Sequence, residues 1–282
     1  MIITWAPMVG NYECENIYVE QILENLDLDD SFHIIIGRIN TFEENEQVKQ
    51  CIIKDKKNIL IMKSDERGII PPFIDDLFMV FRMYNNNSLV DYKKIFPIPC
   101  GYSMTHKNNG ETYNYEYKEP KNINERTYDL FFSGQLSQNR NEMINVINNM
   151  KEKYNILINV TDGFAKGFNI NEFYDKLGDT KIALVPNGVV IPESFRFFES
   201  FMRHCIVITT LPQNSMYDMW YYKDCPAIFL NNWHELTESK INDLLNNLDY
   251  YYEKSKTFFE DKISPKSVTK YIKETIENGI DR

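Results

Sequence analysis

The sequence predicts an α/β fold in two domains, each built on a parallel sheet, and three observations predict it. Short apolar runs alternate with amphipathic stretches along the whole 282-residue chain, the pattern of repeated βαβ units. The pattern is clearest between Asp179 and Pro212, where the apolar run Ile182-Ala183-Leu184-Val185, a Pro-Asn-Gly turn, a helical stretch carrying Arg196 and Glu199, and a second apolar run from Cys205 to Thr209 follow one another. Composition then changes once, from Ser103 to Arg126, where Asn, Lys, Glu, Thr and Tyr dominate and apolar residues almost vanish; the linker is placed there.

The elements follow in order. Ile2-Ile3-Thr4-Trp5 reads as a first strand, and Ile17 to Leu26 as a helix with apolar positions at 17, 19, 22, 23 and 26. Phe32 to Ile36 is a second strand closed by Gly37, and Ile59 to Met62 a third. Pro71-Pro72 keeps 69–76 a loop or irregular segment, after which Leu77 to Phe81 and Phe96 to Ile98 are short strands. Beyond the linker, Tyr128 to Phe132 is a strand with Gly134 at its end, Arg140 to Met150 a helix, Ile156 to Val160 a strand and Asn171 to Leu177 a helix. After the Asp179–Pro212 unit come a late strand, Ala227 to Leu230, a tyrosine-rich helix, Glu238 to Lys256, and a final amphipathic helix, Ser267 to Asn278.

In parallel α/β sheets the ligand crevice lies at the carboxyl ends of the strands, so the segment Asn187 to Phe197 faces it. Ser194 is placed to cap the helix, Arg196 lies in its first turn, and Glu199 follows at i+3 on the same face. A guanidinium beside helix-start N–H groups suits a diphosphate, and a carboxylate one turn on can accept from ribose hydroxyls. The same Arg196–Glu199 spacing also describes an ordinary surface ion pair, worth little energy. Asn187-Gly188 fits a tight turn whose N–H groups would also cradle a diphosphate. Gly134 is either a turn glycine or the opening that admits phosphate. His33, inside an apolar strand, reads as a satisfied core or edge residue, and the Tyr250-Tyr251-Tyr252 and Phe258-Phe259 stripes read as packing.

With these residues in view, the stretch FRFFESFMRHCIVIT resembles the C-terminal nucleotide-sugar half of exostosin-like (GT47-type) glycosyltransferases of the GT-B fold. Upstream, Ile61-Met62-Lys63-Ser64-Asp65-Glu66, Val80-Phe81-Arg82-Met83-Tyr84, Ile98-Pro99-Cys100-Gly101-Tyr102 and Phe131-Phe132-Ser133-Gly134-Gln135 fall in the order of that family, so the resemblance spans roughly Leu60 to Pro212. It implies two Rossmann-like domains facing a cleft: an acceptor domain over 1–122, a nucleotide-sugar domain over 123–262, and a last helix, 263–282, crossing back to the first domain. It also implies sugar transfer from a nucleotide-diphosphate donor, a UDP-sugar by default, to a glycan or polysaccharide acceptor, with Glu199 on the ribose and Arg196 at the pyrophosphate. An inverting enzyme of this kind needs a general base in the first domain. Asp65 and Glu66, at the end of the third strand, are the candidates against the plainer reading of a hydrated loop, with Glu13 in reserve. Arg82, within an apolar strand, is expected to pair with one of those carboxylates or to reach donor phosphate.

Bulk properties exclude several other classes. With 31 basic against 41 acidic residues the net charge is −10, which repels nucleic acid and anionic lipid. Five cysteines, odd in number and without a C-x-x-C pair, point to a reduced, cytoplasmic compartment with thiols in the core. Four scattered histidines make no zinc pattern, and no apolar run has the length of a bilayer span. Asp29-Asp30 and Asp75-Asp76 are adjacent pairs and not a D-x-D, so a metal-independent reaction with no cofactor is expected. The absence of G-x-G-x-x-G from Met1 to Glu20 argues against a nucleotide-dependent oxidoreductase. A non-catalytic nucleotide-sugar or glycan-binding module stays as the alternative; it would keep Glu199 and Arg196 and need no base.

Overall fold

The computed structural model describes residues 1–7, 14–64, 67–84, 92–108, 111–163, 166–188, 193–210 and 219–280, with backbone alone at 105–108, 111–113, 138 and 280. The chain divides into two compact units. Met1–Cys100, Ser215–Lys223 and Ser264–Arg282 form the first, and Gly101–Asn214 with Asp224–Ile263 form the second.

The first unit carries β1 (Ile2–Trp5), α1 (Asn16–Glu24), β2 (Phe32–Gly37), α2 (Phe42–Gln50), β3 (Lys57–Met62), β4 (Met79–Arg82) and β5 (Ile95–Pro97). The strands form one parallel sheet in sequence order, with Ile34 opposite Ile59 and Leu60 opposite Val80. An interior parallel strand is buried on both faces and therefore reads as a near-continuous apolar run, which is what Phe32-His33-Ile34-Ile35-Ile36 is apart from His33. Ile35, Leu60 and Val80 point to one face, where Val48 of α2 covers them, each side chain contributing roughly 1.5–3 kcal/mol by leaving water. His33 is fully buried and satisfied: Thr4 Oγ1 lies 2.9 Å from its Nε2 and Asn58 Oδ1 2.9 Å from its Nδ1.

Helix α2 has no counterpart among the expected elements. Only Glu44 and Val48 of its nine residues are buried, so it shows no apolar period, and its start is set by a capping box instead. Glu44 N–H donates to Thr41 Oγ1 at 3.2 Å and Thr41 N–H to Glu44 Oε2 at 3.1 Å. The same carboxylate accepts from Arg38 Nε at 2.6 Å, so the charge is paired where it is buried.

The second unit begins with an antiparallel hairpin, β6 (Thr105–Asn108) and β7 (Glu111–Asn114), inside the polar stretch read as linker. Then come β8 (Tyr128–Gln135), α3 (Gln138–Asn148), β9 (Ile156–Thr161), α4 (Ile170–Gly178), β10 (Thr180–Val185), α5 (Phe195–Met202), β11 (Ile206–Thr209) and β12 (Ile228–Phe229). They form a second parallel sheet in the order β12-β11-β10-β8-β9. Leu130, Ile182, Leu184, Ile206 and Ile208 build its core with Met143 and Ile147 of α3 and the fully buried Trp233. The tyrosine-rich segment is two helices, α6 (Glu238–Asn246) and α7 (Leu248–Phe258), because Asn247 leaves helical geometry at φ −123°, ψ 33°.

Helix α8 (Pro265–Ile280) belongs to the first unit. Thr269 Oγ1 donates to the Ile22 carbonyl of α1 at 2.9 Å, and Tyr271 stacks on Trp220 at 4.3 Å while meeting Phe81 edge-on at 6.4 Å. Phe81 alternates with Val80 along β4, so α8 covers the face opposite the one held by α2.

Candidate functional site

In the second sheet β8 lies between β9 and β10. Helix α3 leaves β8 toward β9 on one side, and α5 leaves β10 toward β11 on the other, so the strand order reverses between the carboxyl ends of β8 and β10. Such a switch point is where open parallel sheets hold ligands. The two helices that start there differ from their neighbours. Thr41, Asn169 and Thr237 cap α2, α4 and α6 with side-chain bonds, and each of those helices carries an acid in its first turn. Ser137 and Ser194 stand extended at the N-cap positions of α3 and α5 but give no side-chain cap, and neither first turn contains an acid. The expected Ser194 cap is thus corrected: the residue has the N-cap backbone, φ −150° and ψ 156°, without the hydroxyl bond.

Arg196 and Glu199 are brought together, though not as a surface pair. The Glu199 side chain is 1% exposed and that of Arg196 43%, and Arg196 Nη1 donates to Glu199 Oε2 at 2.5 Å. Glu199 is buried along with Phe197, Phe198, Phe201 and Met202 of the same helix. Its Oε1 accepts from Tyr174 Oη at 3.1 Å and from Ser103 N–H at 3.3 Å. Burial and the Glu199 charge hold the Tyr174 phenol well above its ordinary pKa, so it stays a donor. The guanidinium of Arg196 lies over Phe173, its Cζ 4.1 Å from the ring centroid, and its Nε donates to the Ser133 carbonyl of β8 at 3.4 Å. Arg196 is therefore aimed from β10's helix back over the end of β8.

A second guanidinium stands beside it. Arg140, in the first turn of α3, donates from Nη1 to the Gln135 carbonyl at 2.8 Å and from Nη2 to the Asn187 carbonyl at 3.3 Å. Among the described residues no carboxylate pairs with it, and its Nε is buried without a partner. Burial first, and then repulsion from Arg196, lowers its pKa. Sequence reading placed Arg140 at the start of a helix and gave it no role, because one arginine in a polar helical turn carries no pattern; its meaning comes from the fold. Asn187, two residues past β10, has Oδ1 buried with no donor among the described residues. Gly188 follows it as the last described residue of that segment. At Gly134 a Cβ would meet Phe132 at 3.4 Å and Arg140 Nη1 at 3.5 Å, ordinary contacts, so packing within the protein does not demand a glycine.

The remaining candidates belong to the first unit. Arg82 is fully buried in the first unit, where its Nη1 donates to the Ile69 carbonyl at 2.6 Å. Asp65, Glu66 and Glu13, the candidate bases, lie outside the described residues. Among the described residues no group of three or more His, Cys, Asp or Glu side chains gathers as a metal site, and no helix is long and apolar enough to cross a membrane.

No protein-family model matches the sequence, and no curated protein matches it either. Solved structures do. An alpha1,3-fucosyltransferase aligns over 98% of this chain and 89% of its own at 12% identity, with a TM-score of 0.51. A variant of S. aureus TarM in complex with Fondaparinux, alpha-GlcNAc-glycerol and UDP aligns over 93% of this chain at 13% identity, with a TM-score of 0.50. The chain spans 58% of that TarM chain and 62% of the matched chain of the GtfA/B complex. At such identities the likeness is one of fold: an α/β chain with two parallel five-stranded sheets, as in glycosyltransferases of the GT-B class.

Proposed function

We propose that the protein is a glycosyltransferase that moves a sugar from a nucleotide-diphosphate donor, a UDP-sugar, to a glycan or polysaccharide acceptor. The observation that carries the reading is the Arg140–Arg196 pair at the switch point of the second sheet, one member of which has no carboxylate among the described residues. Two partly buried like charges without a full set of counterions are unfavourable until an anion joins them. A diphosphate bridging the guanidiniums and the first turns of α3 and α5 supplies that anion. The UDP in the TarM complex supports the same choice of ligand.

In the proposed reaction an acceptor hydroxyl attacks the anomeric carbon of the donor. A new C–O bond forms as the bond to the diphosphate breaks, with inversion, and the diphosphate leaves with the electron pair. Its growing charge is held by Arg196 and Arg140, so no cation is required. Glu199 orients Arg196 and offers its remaining Oε2 lone pair to a ribose hydroxyl. Asp65 or Glu66, or Glu13 in reserve, takes the acceptor proton. The exostosin-like sequence resemblance supports this division of roles, with the acceptor on the first unit.

The test is nucleotide release from a panel of UDP-, GDP- and CMP-sugars, with and without EDTA. Release from a UDP-sugar that survives chelation is expected. UDP binding without release from any donor would favour the non-catalytic module, and full loss on chelation restored by Mn²⁺ would overturn the metal-free assignment. Asp65→Asn and Glu66→Gln should separate the base, which loses about 10²–10⁴ in turnover while UDP still binds.

A further inference from the structure

Two consecutive residues of α4 grip the two members of the Arg196–Glu199 pair. Phe173 lies under the Arg196 guanidinium, and Tyr174 reaches the Glu199 carboxylate. Their helix is fixed at its start by a capping box: Glu172 N–H donates to Asn169 Oδ1 at 2.9 Å, and Asn169 N–H donates to Glu172 Oε2 at 3.0 Å. The Tyr174 ring is fixed as well. It is fully buried, stacks on Tyr115 with centroids 4.3 Å apart, and meets Phe173 edge-on at 5.2 Å. All of these residues belong to the second unit.

The terminal torsion of a glutamate is soft, so a carboxylate held at one oxygen alone can turn. At Glu199 both oxygens are held. Arg196 binds Oε2, while the Ser103 N–H and the Tyr174 hydroxyl both donate to Oε1. The phenol oxygen also lies 2.7 Å from the Ser103 carbonyl, so its one proton is divided between two acceptors. Ser103, Tyr174 and Oε1 therefore close a ring of hydrogen bonds. Burial first, and then the Glu199 charge, keep that phenol protonated, so the donor is always present. A turn of the carboxylate would carry Oε2 off Arg196, and the two donors at Oε1 oppose it.

We propose that Tyr174 is a positioning residue for sugar transfer: its hydroxyl fixes the Glu199 carboxylate, and through it the Arg196 guanidinium at the place of the donor diphosphate. The inference rests on the glycosyltransferase reading above and gives Tyr174 no contact with substrate. Without the hydroxyl, Glu199 keeps one donor at Oε1 and Arg196 loses its fixed counter-charge. The diphosphate is then gripped less well in the ground state, and its growing charge is stabilised less in the transition state.

The experiment uses the full chain, with calorimetry of UDP and competition by uridine, which has the same base and sugar and no phosphate. Tyr174→Phe keeps the ring contacts and removes only the hydroxyl. The ratio of UDP to uridine affinity should fall about 3- to 10-fold, the effect of about one hydrogen bond passed on through Glu199, and kcat for nucleotide release from UDP-glucose or UDP-N-acetylglucosamine should fall at least as far. Tyr115→Phe removes a hydroxyl from the other ring of the stack, leaves both donors to Oε1, and should keep the ratio. A ratio unchanged in Tyr174→Phe, with UDP and uridine either both as in wild type or weakened in parallel, overturns the proposal, and so does an equal change in Tyr115→Phe. Where Tyr174→Phe does not fold, Tyr115→Leu takes away the ring that Tyr174 stacks on and carries the same test, with an unchanged ratio again the refuting result. A wild-type protein that binds UDP no more tightly than uridine defeats the donor-site reading itself, and is distinct from a wild type whose clear preference for UDP survives in Tyr174→Phe.

Discussion

Removing Arg140 should separate ligand affinity from stability more cleanly than any other change at the donor site. In the unliganded protein the side chain makes two hydrogen bonds, to the carbonyls of Gln135 and Asn187, each worth about 1 kcal/mol net. Against these stands repulsion from Arg196, already visible in the lowered pKa of Arg140. Arg140→Ala loses both terms, and because they oppose each other the melting temperature should stay near wild type. A diphosphate changes the balance. A charge-assisted bond contributes about 1.5–3 kcal/mol, so UDP affinity should fall about 10- to 150-fold. The loss should shrink as salt is raised, since Arg196 beside it is 43% exposed and its field is screened. Arg140→Lys keeps the charge without the fork and should fall between the two. Calorimetry with UDP and differential scanning calorimetry without it are the paired measurements. Affinity within about 3-fold of wild type, or a large drop in melting temperature with affinity intact, would refute the assignment and make Arg140 a brace for the β10 turn.

Three further outcomes follow from other contacts. Glu199→Gln should lower melting temperature and UDP affinity together, because an amide that still accepts from Tyr174 and Ser103 turns its NH₂ toward Arg196; scanning calorimetry with and without UDP checks this, and a variant unchanged in both measures would sink it. Gly134→Ala fits the protein's own packing, so its fold should hold while UDP affinity falls if phosphate approaches β8 there; equal affinity in a titration places the diphosphate elsewhere. His204 is buried, and burial, followed by Arg126, Lys256 and Arg203, lowers its pKa to about 4. Its folded-state pKa lies below the unfolded value, so its stabilising effect is full above about pH 6.5 and is lost as pH falls toward 4. Between pH 6.5 and 5 the loss should be about 2 kcal/mol, read by urea unfolding. His204→Asn, which tolerates the φ of 52°, should lack that slope; parallel pH curves for the two proteins would contradict it.

Much of the fold was legible because parallel strands buried on both faces leave long apolar runs, as at 32–36 and 182–185. The missing pieces are those whose stability does not come from apolar periodicity. Helix α2 buries one apolar side chain, Val48, and its signal was the Thr41-x-x-Glu44 box, two polar residues easily taken for loop. The hairpin of β6 and β7 is written in Thr, His, Lys, Asn, Glu and Tyr, the composition of a linker. At the site, the i, i+3 spacing of Arg196 and Glu199 was visible, but spacing does not distinguish an exposed pair from one whose carboxylate is buried. That distinction comes from Ser103 and Tyr174, residues 96 and 25 positions from Glu199. Arg140 was silent for the same reason: it matters only because β8 and β10 are neighbours.

Helix α8 gives the order of synthesis a consequence. Tyr271, Thr269 and Gly279, which packs against Met79, complete a unit whose sheet is finished by Pro97. A chain emerging from the ribosome therefore makes the whole first sheet, and then the whole second one, before the helix that covers Phe81 and Ile22 exists. The Thr269–Ile22 bond closes a loop of 247 residues. Until it closes, the apolar surface that α8 covers, Phe81 and Met79 with it, stays open to water, so the half of the protein made first is the half that finishes folding last, and a nascent chain stalled before Pro265 would present that surface to whatever chaperone or neighbour it meets.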